Sequence, residues 1–239
     1  MGLPSSGPIQ TSYLGTSRTA VSVSEQAIYG FKSDSTLWAW GYNNKNQLGI
    51  LKDGQTKVVQ PNQTITGGTT WKQASSGATH TIAVKTDGTL WTWGTNSYGE
   101  LGNISTTEIK YDPTLIWPLG TSWVNVSADA RSSFALKSDG SLWAFGCNYG
   151  GQLALNVDLT DLSSTKSVPV QTISRGNTWK EISISGYHSS AIKTDGTLWT
   201  WGSNDFGQLG DSTITHRSSP VQTIAGGTNW KQVSSGFFN

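Results

Sequence analysis

The residue types that do chemistry are few in this chain, and most recur at fixed spacing. His80 and His188 stand at one place in two copies of an internal repeat, where Ala27 and Ser132 stand in the others. A general base is wanted once, so recurrence points to a structural role. His216 lies in a loop. Cys147 is the only cysteine and occupies the place of Tyr42, Thr95 and Ser203 in other copies, which leaves no disulfide, no cysteine metal site and no special nucleophile. Asp158 and Asp161 share one loop, but two carboxylates are too few oxygen ligands for a calcium or magnesium site. No G-x-S-x-G elbow, H-E-x-x-H helix or phosphate-cradling glycine loop appears. The chain therefore reads as a non-enzyme without cofactor or metal. Lys32, Lys85, Lys137 and Lys193 each precede Asp34, Asp87, Asp139 and Asp195 by two residues. Two readings stand for these pairs: solvated hairpin ends, or an anion-binding ring.

The elements that position these residues follow from the repeat. TLWAWGYNNKNQLG returns as TLWTWGTNSYGELG, SLWAFGCNYGGQLA and TLWTWGSNDFGQLG, with the glycine after the second aromatic at 41, 94, 146 and 202. A second marker, the tryptophan at 71, 123, 179 and 230, keeps the same step. Alternation and turn signals predict four strands per unit, A to D, which in the second copy are 71–75, 81–85, 89–93 and near 114–117. Asp87-Gly88, Asp139-Gly140 and Asp195-Gly196 predict type I′ hairpins between B and C, while Ser35 in place of the glycine predicts a strained or different turn. Strand C is apolar on both faces. Ordering about fifty residues at roughly 1.5 kcal/mol each outweighs burying a few tryptophans at about 5 kcal/mol apiece, so one unit cannot stand alone. The sheets must stack on one another, and the expected fold class is all-β: a β-propeller of four-stranded antiparallel blades, with a linear solenoid as the alternative.

Composition agrees. Charged residues are 13% of 239, the net charge is +1, and 12 tryptophans supply apolar bulk. Disordered chains lack aromatics, and a nucleic-acid binder needs a basic face, so neither class is expected. No segment approaches membrane-spanning length, and MGLPSSGPIQ carries no secretory signal, so a soluble chain with no membrane partner is expected. Localisation is otherwise open.

The motif [KST]-[ST]-D-G-[ST]-L-W-x-[WF]-G, followed by G-x-N-x-x-G-[QE]-L-G and by W-x-x-[VI]-S, resembles the regulator of chromosome condensation repeat, in the Trp-rich form seen in bacterial and phage proteins. That resemblance implies a propeller, normally of seven blades, and a best-known relative that is a guanine-nucleotide exchange factor. Departures are Asn46 for a loop glycine and Ala154 for the final one. No acidic hairpin insertion of the kind that the exchange factor uses is visible, so exchange is not carried over.

Residues 1–239 form one repeat domain, with units at about 18–70, 71–122, 123–178 and 179–229. Residues 230–239 are a partial fifth, ending on an A strand at 230–236, and 1–17 are a D-like strand of a neighbouring blade. The ring is expected to be open or incomplete, with edge strands able to pair with other chains. Strand alternation puts the A to B and C to D loops on one rim, where the copies differ. The candidate binding residues there are Tyr42, Asn44, Lys45, Tyr98, Asn148, Tyr149, Asp158, Asp161, Asp205 and Phe206. The expected function is a non-catalytic scaffold for a protein or glycan partner, with a virion or phage-tail adhesion component as one setting. The alternative is exchange on, or regulation of, a small GTPase.

Overall fold

The computed structural model describes residues 18–24, 26–50, 55–65, 68–107, 109–116, 120–157, 165–173 and 177–236. Among the described residues sixteen strands form four antiparallel sheets of four, each in sequential order. Blade one comprises β1 (Arg18–Val23), β2 (Ala27–Lys32), β3 (Leu37–Tyr42) and β4 (Lys57–Gln63). Blade two comprises β5 (Trp71–Ser76), β6 (His80–Lys85), β7 (Leu90–Gly94) and β8 (Lys110–Leu115). In blade three these are β9 (Trp123–Ala128), β10 (Ser132–Lys137), β11 (Leu142–Gly146) and β12 (Lys166–Gln171). Blade four holds β13 (Trp179–Ser185), β14 (His188–Lys193), β15 (Leu198–Gly202) and β16 (Arg217–Gln222).

The core lies in the three seams between blades. Seam one packs Tyr29, Leu37 and Leu48 against Trp71 and Trp93; seam two packs Ile82, Leu90 and Ile116 against Trp123 and Phe145; seam three packs Phe134, Leu142 and Leu153 against Trp179 and Trp201. This is how a sheet apolar on both faces is covered. Each seam is also keyed by hydrogen bonds to a loop carbonyl. Gln47 O accepts from Thr81 Oγ1 at 2.8 Å and Trp93 Nε1 at 2.6 Å, and Gln152 O accepts from Ser189 Oγ at 3.1 Å and Trp201 Nε1 at 2.7 Å. In seam two the aromatic is Phe145, which has no N–H, and Ser133 Oγ alone bonds Glu100 O at 2.9 Å.

The A strands converge on the axis. Gln73 exchanges two hydrogen bonds with the Val126 backbone, Ser75 Oγ accepts the Ala128 N–H, and Ser127 Oγ accepts the Ile184 N–H. A cavity of about 340 Å³ runs between them, lined by Ser22, Ser75, Ser127 and Ser183 among others. Packing passes from blade one to two, three and four, and among the described strands no comparable contact joins blades one and four, so the arc is open.

Four details differ from the sequence reading or refine it. The D strand of blade two is β8 rather than 114–117, because its ladder to β7 is anchored at Gly94↔Lys110 and steps through a bulge to Thr92↔Thr114. The B to C connections are not type I′. Lys85 O accepts the Gly88 N–H and Lys85 N–H reaches Thr89 O, with φ positive at Gly88 and not at Asp87, which is a type I turn closed by a left-handed residue. Ser35 holds the same turn at φ 60, so it is the strained branch of that expectation that applies. Residues 230–236 keep an A-strand place, with Val233 N–H on Glu181 Oε1 and Ser235 N–H on Ser183 Oγ, yet form no strand, since no described B strand flanks them. Residues 1–17 lie outside the described residues.

Candidate functional site

The rim of the B to C turns repeats one set of contacts in every blade. Oδ1 of Asp34, Asp87, Asp139 and Asp195 accepts both the N–H and the hydroxyl of Thr36, Thr89, Ser141 and Thr197. The same hydroxyl accepts the indole N–H of Trp38, Trp91, Trp143 or Trp199. Nζ of Lys32, Lys85, Lys137 and Lys193 lies 3.9, 4.1, 4.6 and 4.2 Å from the centroid of that indole. The hydroxyl bond holds each carboxyl below its usual range. The aspartates are exposed, as solvated hairpin ends would be, while the lysines lie against indole faces. They form a clasp that fixes the outer tryptophan.

On the opposite rim, each C to D loop braces itself. Oδ1 of Asn43, Asn96, Asn148 and Asn204 accepts the N–H of Leu48, Leu101, Leu153 and Leu209. Oε of Gln47, Glu100, Gln152 and Gln208 accepts the N–H of Lys45, Tyr98, Gly150 and Phe206. Asn148 is therefore buried and serves its own loop. The residues between these two anchors are pushed outward. Asn44, Lys45 and Asp205 are exposed, Tyr42 is half-buried at the end of β3, and Phe206 is 74% exposed. Asp158 and Asp161 lie outside the described residues.

Blades two, three and four bring part of this set together. Tyr98 and Tyr149 meet edge to face, with centroids 6.0 Å apart at 89°. The guanidinium of Arg131, from the A to B loop of blade three, sits 4.6 Å from the Tyr98 centroid. Tyr187, from the A to B loop of blade four, packs so close to Gly150 that a Cβ on that glycine would stand 3.3 Å from its own Cβ. Beyond it, His216 Nε2 faces Asp205 Oδ1 at 3.5 Å, while its Nδ1 accepts the Asn204 N–H. Arg131 and Tyr187 were missed because they sit in A to B loops, too short to stand out as variable. Glu100 was missed because it reads as a conservative exchange for glutamine. Buried beneath Tyr98, its carboxyl is raised to about 7 by desolvation, which the Tyr98 N–H and Arg131 only partly offset.

One pair imitates a catalytic couple. His80 Nε2 lies 2.9 Å from Ser133 Oγ, but that hydroxyl donates to Glu100 O, so it accepts from the ring. Both residues are fully buried, and burial pushes the His80 pKa down to about 3. The pair ties a seam together. Burial likewise pushes the Cys147 thiol up. Among the described residues no three His, Cys, Asp or Glu side chains gather as metal ligands.

Comparison with known proteins matches this architecture. A family model for the regulator of chromosome condensation (RCC1) repeat covers residues 34–84, 87–136, 139–192 and 195–237, and a second so described covers 71–100 and 179–208. The ultraviolet-B receptor UVR8 of Arabidopsis thaliana is 32% identical over 79% of this chain and 42% of its own length. A probable E3 ubiquitin-protein ligase of Homo sapiens, HERC6, is 32% identical over 80% of this chain and 19% of its own. The chain thus spans less than half of each of these relatives. Among solved structures, Prp20p of Saccharomyces cerevisiae superposes with a TM-score of 0.74 at 20% identity, over 86% of this chain and 50% of that one; its structure was described with its binding to Gsp1p and histones. Human WBSCR16 gives 0.71 at 18% identity, over 87% and 53%. From the B to C turn to the self-braced loop of each repeat, the chain belongs to the regulator of chromosome condensation (RCC1) repeat family.

Proposed function

We propose that this chain is a non-catalytic scaffold that presents the rim of A to B and C to D loops to a protein partner. One observation carries the reading. The Arg131, Tyr98 and Tyr149 cluster is assembled from two blades and three loops on the rim that varies, whereas the B to C turns of the other rim repeat one set of contacts in each blade. Aromatic side chains with few rotors, next to an arginine, are what protein interfaces use as anchors. Prp20p, similar in fold, is described as binding Gsp1p and histones, and a second structure holds it with Kap60, so protein partners suit this architecture. A structural place in a virion is one setting that a low-charge surface rich in Ser, Thr and Asn suits.

The test is proximity crosslinking from Tyr149 and Phe206 positions, followed by recovery of the crosslinked partner with an R131A/Y149A/F206A variant. Loss of recovery with an unchanged circular dichroism spectrum is expected. Recovery that survives the triple variant would overturn the reading. The regulatory alternative is exchange on a small GTPase, and acceleration of nucleotide release by catalytic amounts of the chain would favour it instead.

A further inference from the structure

Seam three is open where the first two are shut. In the first two seams a D-strand proline, Pro113 or Pro169, faces the last position of the preceding blade's loop motif, and Pro220 holds the matching place in the D strand of blade four. That position is Gly49 in seam one and Gly102 in seam two, where an added Cβ would lie only 3.2 and 3.1 Å from the proline Cδ. Seam three has Ala154, which carries such a Cβ and holds φ at 56°. Pro113 and Pro169 are buried, but Pro220 is half-buried. Beside it a recess of about 350 Å³ opens between blades three and four.

We infer that this recess binds a neutral pyranose, as a free sugar or at the end of a glycan. Its walls are apolar, made by the indoles of Trp199 and Trp179, the ring of Pro220 and the half-exposed Ile173. Polar groups stand only at the edge. Ser219 Oγ donates to Asn156 Oδ1 at 2.8 Å, which orients the Asn156 amide and leaves its N–H groups without a partner among the described residues. Lys193 Nζ, 4.2 Å from the Trp199 centroid, is the one cation lining it among those residues. Asn156 is itself held in the left-handed region, at φ 52, by its N–H on Ser218 O across the seam.

A pyranose has the matching division. One face of the ring presents C–H groups, which lie on indole and proline, and its edge carries hydroxyls that donate and accept. A hydrocarbon would leave the Asn156 amide N–H groups unpaired, and a phosphorylated ligand would call for more than one cation. The volume falls within the range of small-ligand pockets and holds one ring with room beside it. This inference does not depend on the Arg131, Tyr98 and Tyr149 cluster, none of which lines the recess.

Titration with D-glucose, D-galactose and N-acetyl-D-glucosamine, followed through the tryptophan indole N–H resonances, tests it. Saturable shifts of Trp179 and Trp199 with at least one sugar are expected. A154G restores the residue of the other two seams and lets Pro220 close, so the affinity should fall at least tenfold while the protein stays folded. N156A should weaken it severalfold. Absence of saturable shifts with all three sugars overturns the proposal, and so does binding that A154G and N156A leave unchanged.

Discussion

The two rims of these blades are made by the same strands and could hardly differ more. At the B to C turns, Asp, Thr or Ser, Trp and Lys repeat one clasp in all four blades, so a rule learned in one blade holds in the next. At the opposite rim only the bracing is repeated, and the residues it holds outward change from Lys45 to Tyr98, Tyr149 and Phe206. Recurrence marks what each sheet needs in order to stack. What changes against that background is available for recognition.

The largest expected effect breaks the stacked side of this comparison. Trp123 is 1% exposed in seam two, and Trp123→Ala should destabilise by about 3–5 kcal/mol in urea unfolding. A loss under about 1 kcal/mol would mean that the seams are not what holds the arc.

Next comes Glu100, where a bracing position has acquired a charge. Its carboxyl titrates at about 7 in the fold against an ordinary 4.5, so the unfolded chain releases that proton first. Stability should therefore fall as pH rises from 4.5 to 7 and level off above. Glu100→Gln restores the residue of the other three blades and should gain about 3 kcal/mol at pH 8 and close to nothing at pH 4, read from denaturation at both pH values.

Smaller effects sharpen the same contrast. Ser35→Gly should stabilise by about 1 kcal/mol, since it relieves a left-handed serine in a turn where the other blades use glycine. The matching change at the other rim should do less: Phe206→Ala is expected to move stability by no more than about 0.5 kcal/mol while weakening partner recovery. A comparable loss of stability in Phe206→Ala would make that loop structural and erase the distinction between the rims.

Much of the fold was legible before coordinates, because four registered copies of one motif leave a single economical packing. Tryptophans on strand C must be covered, and neighbouring copies are what covers them. The errors came where local rules compete with a ladder. Asp-Gly alone suggests a type I′ turn, yet the pairing of Lys85 with Thr89 adds a residue to the loop and leaves only the glycine left-handed. β8 begins earlier than its hydrophobic residues suggest, because its place is set by Gly94↔Lys110. The site was half legible. Tyr98, Tyr149 and Phe206 could be picked out as variation within a repeat, whereas Asn148, from the same loops, turned inward to cap a backbone N–H.

The amino-acid order by itself determined the repeat, its four strands and the need for each sheet to be sandwiched, since all of these follow from which side chains refuse water and how often they return. Only the tertiary structure decided which loops meet across a seam, that Arg131 lies over Tyr98, that Glu100 is buried, and that a recess opens beside Pro220. Contacts between blades join residues some fifty positions apart, as in His80 with Ser133, and no local pattern along the chain records the distance between them.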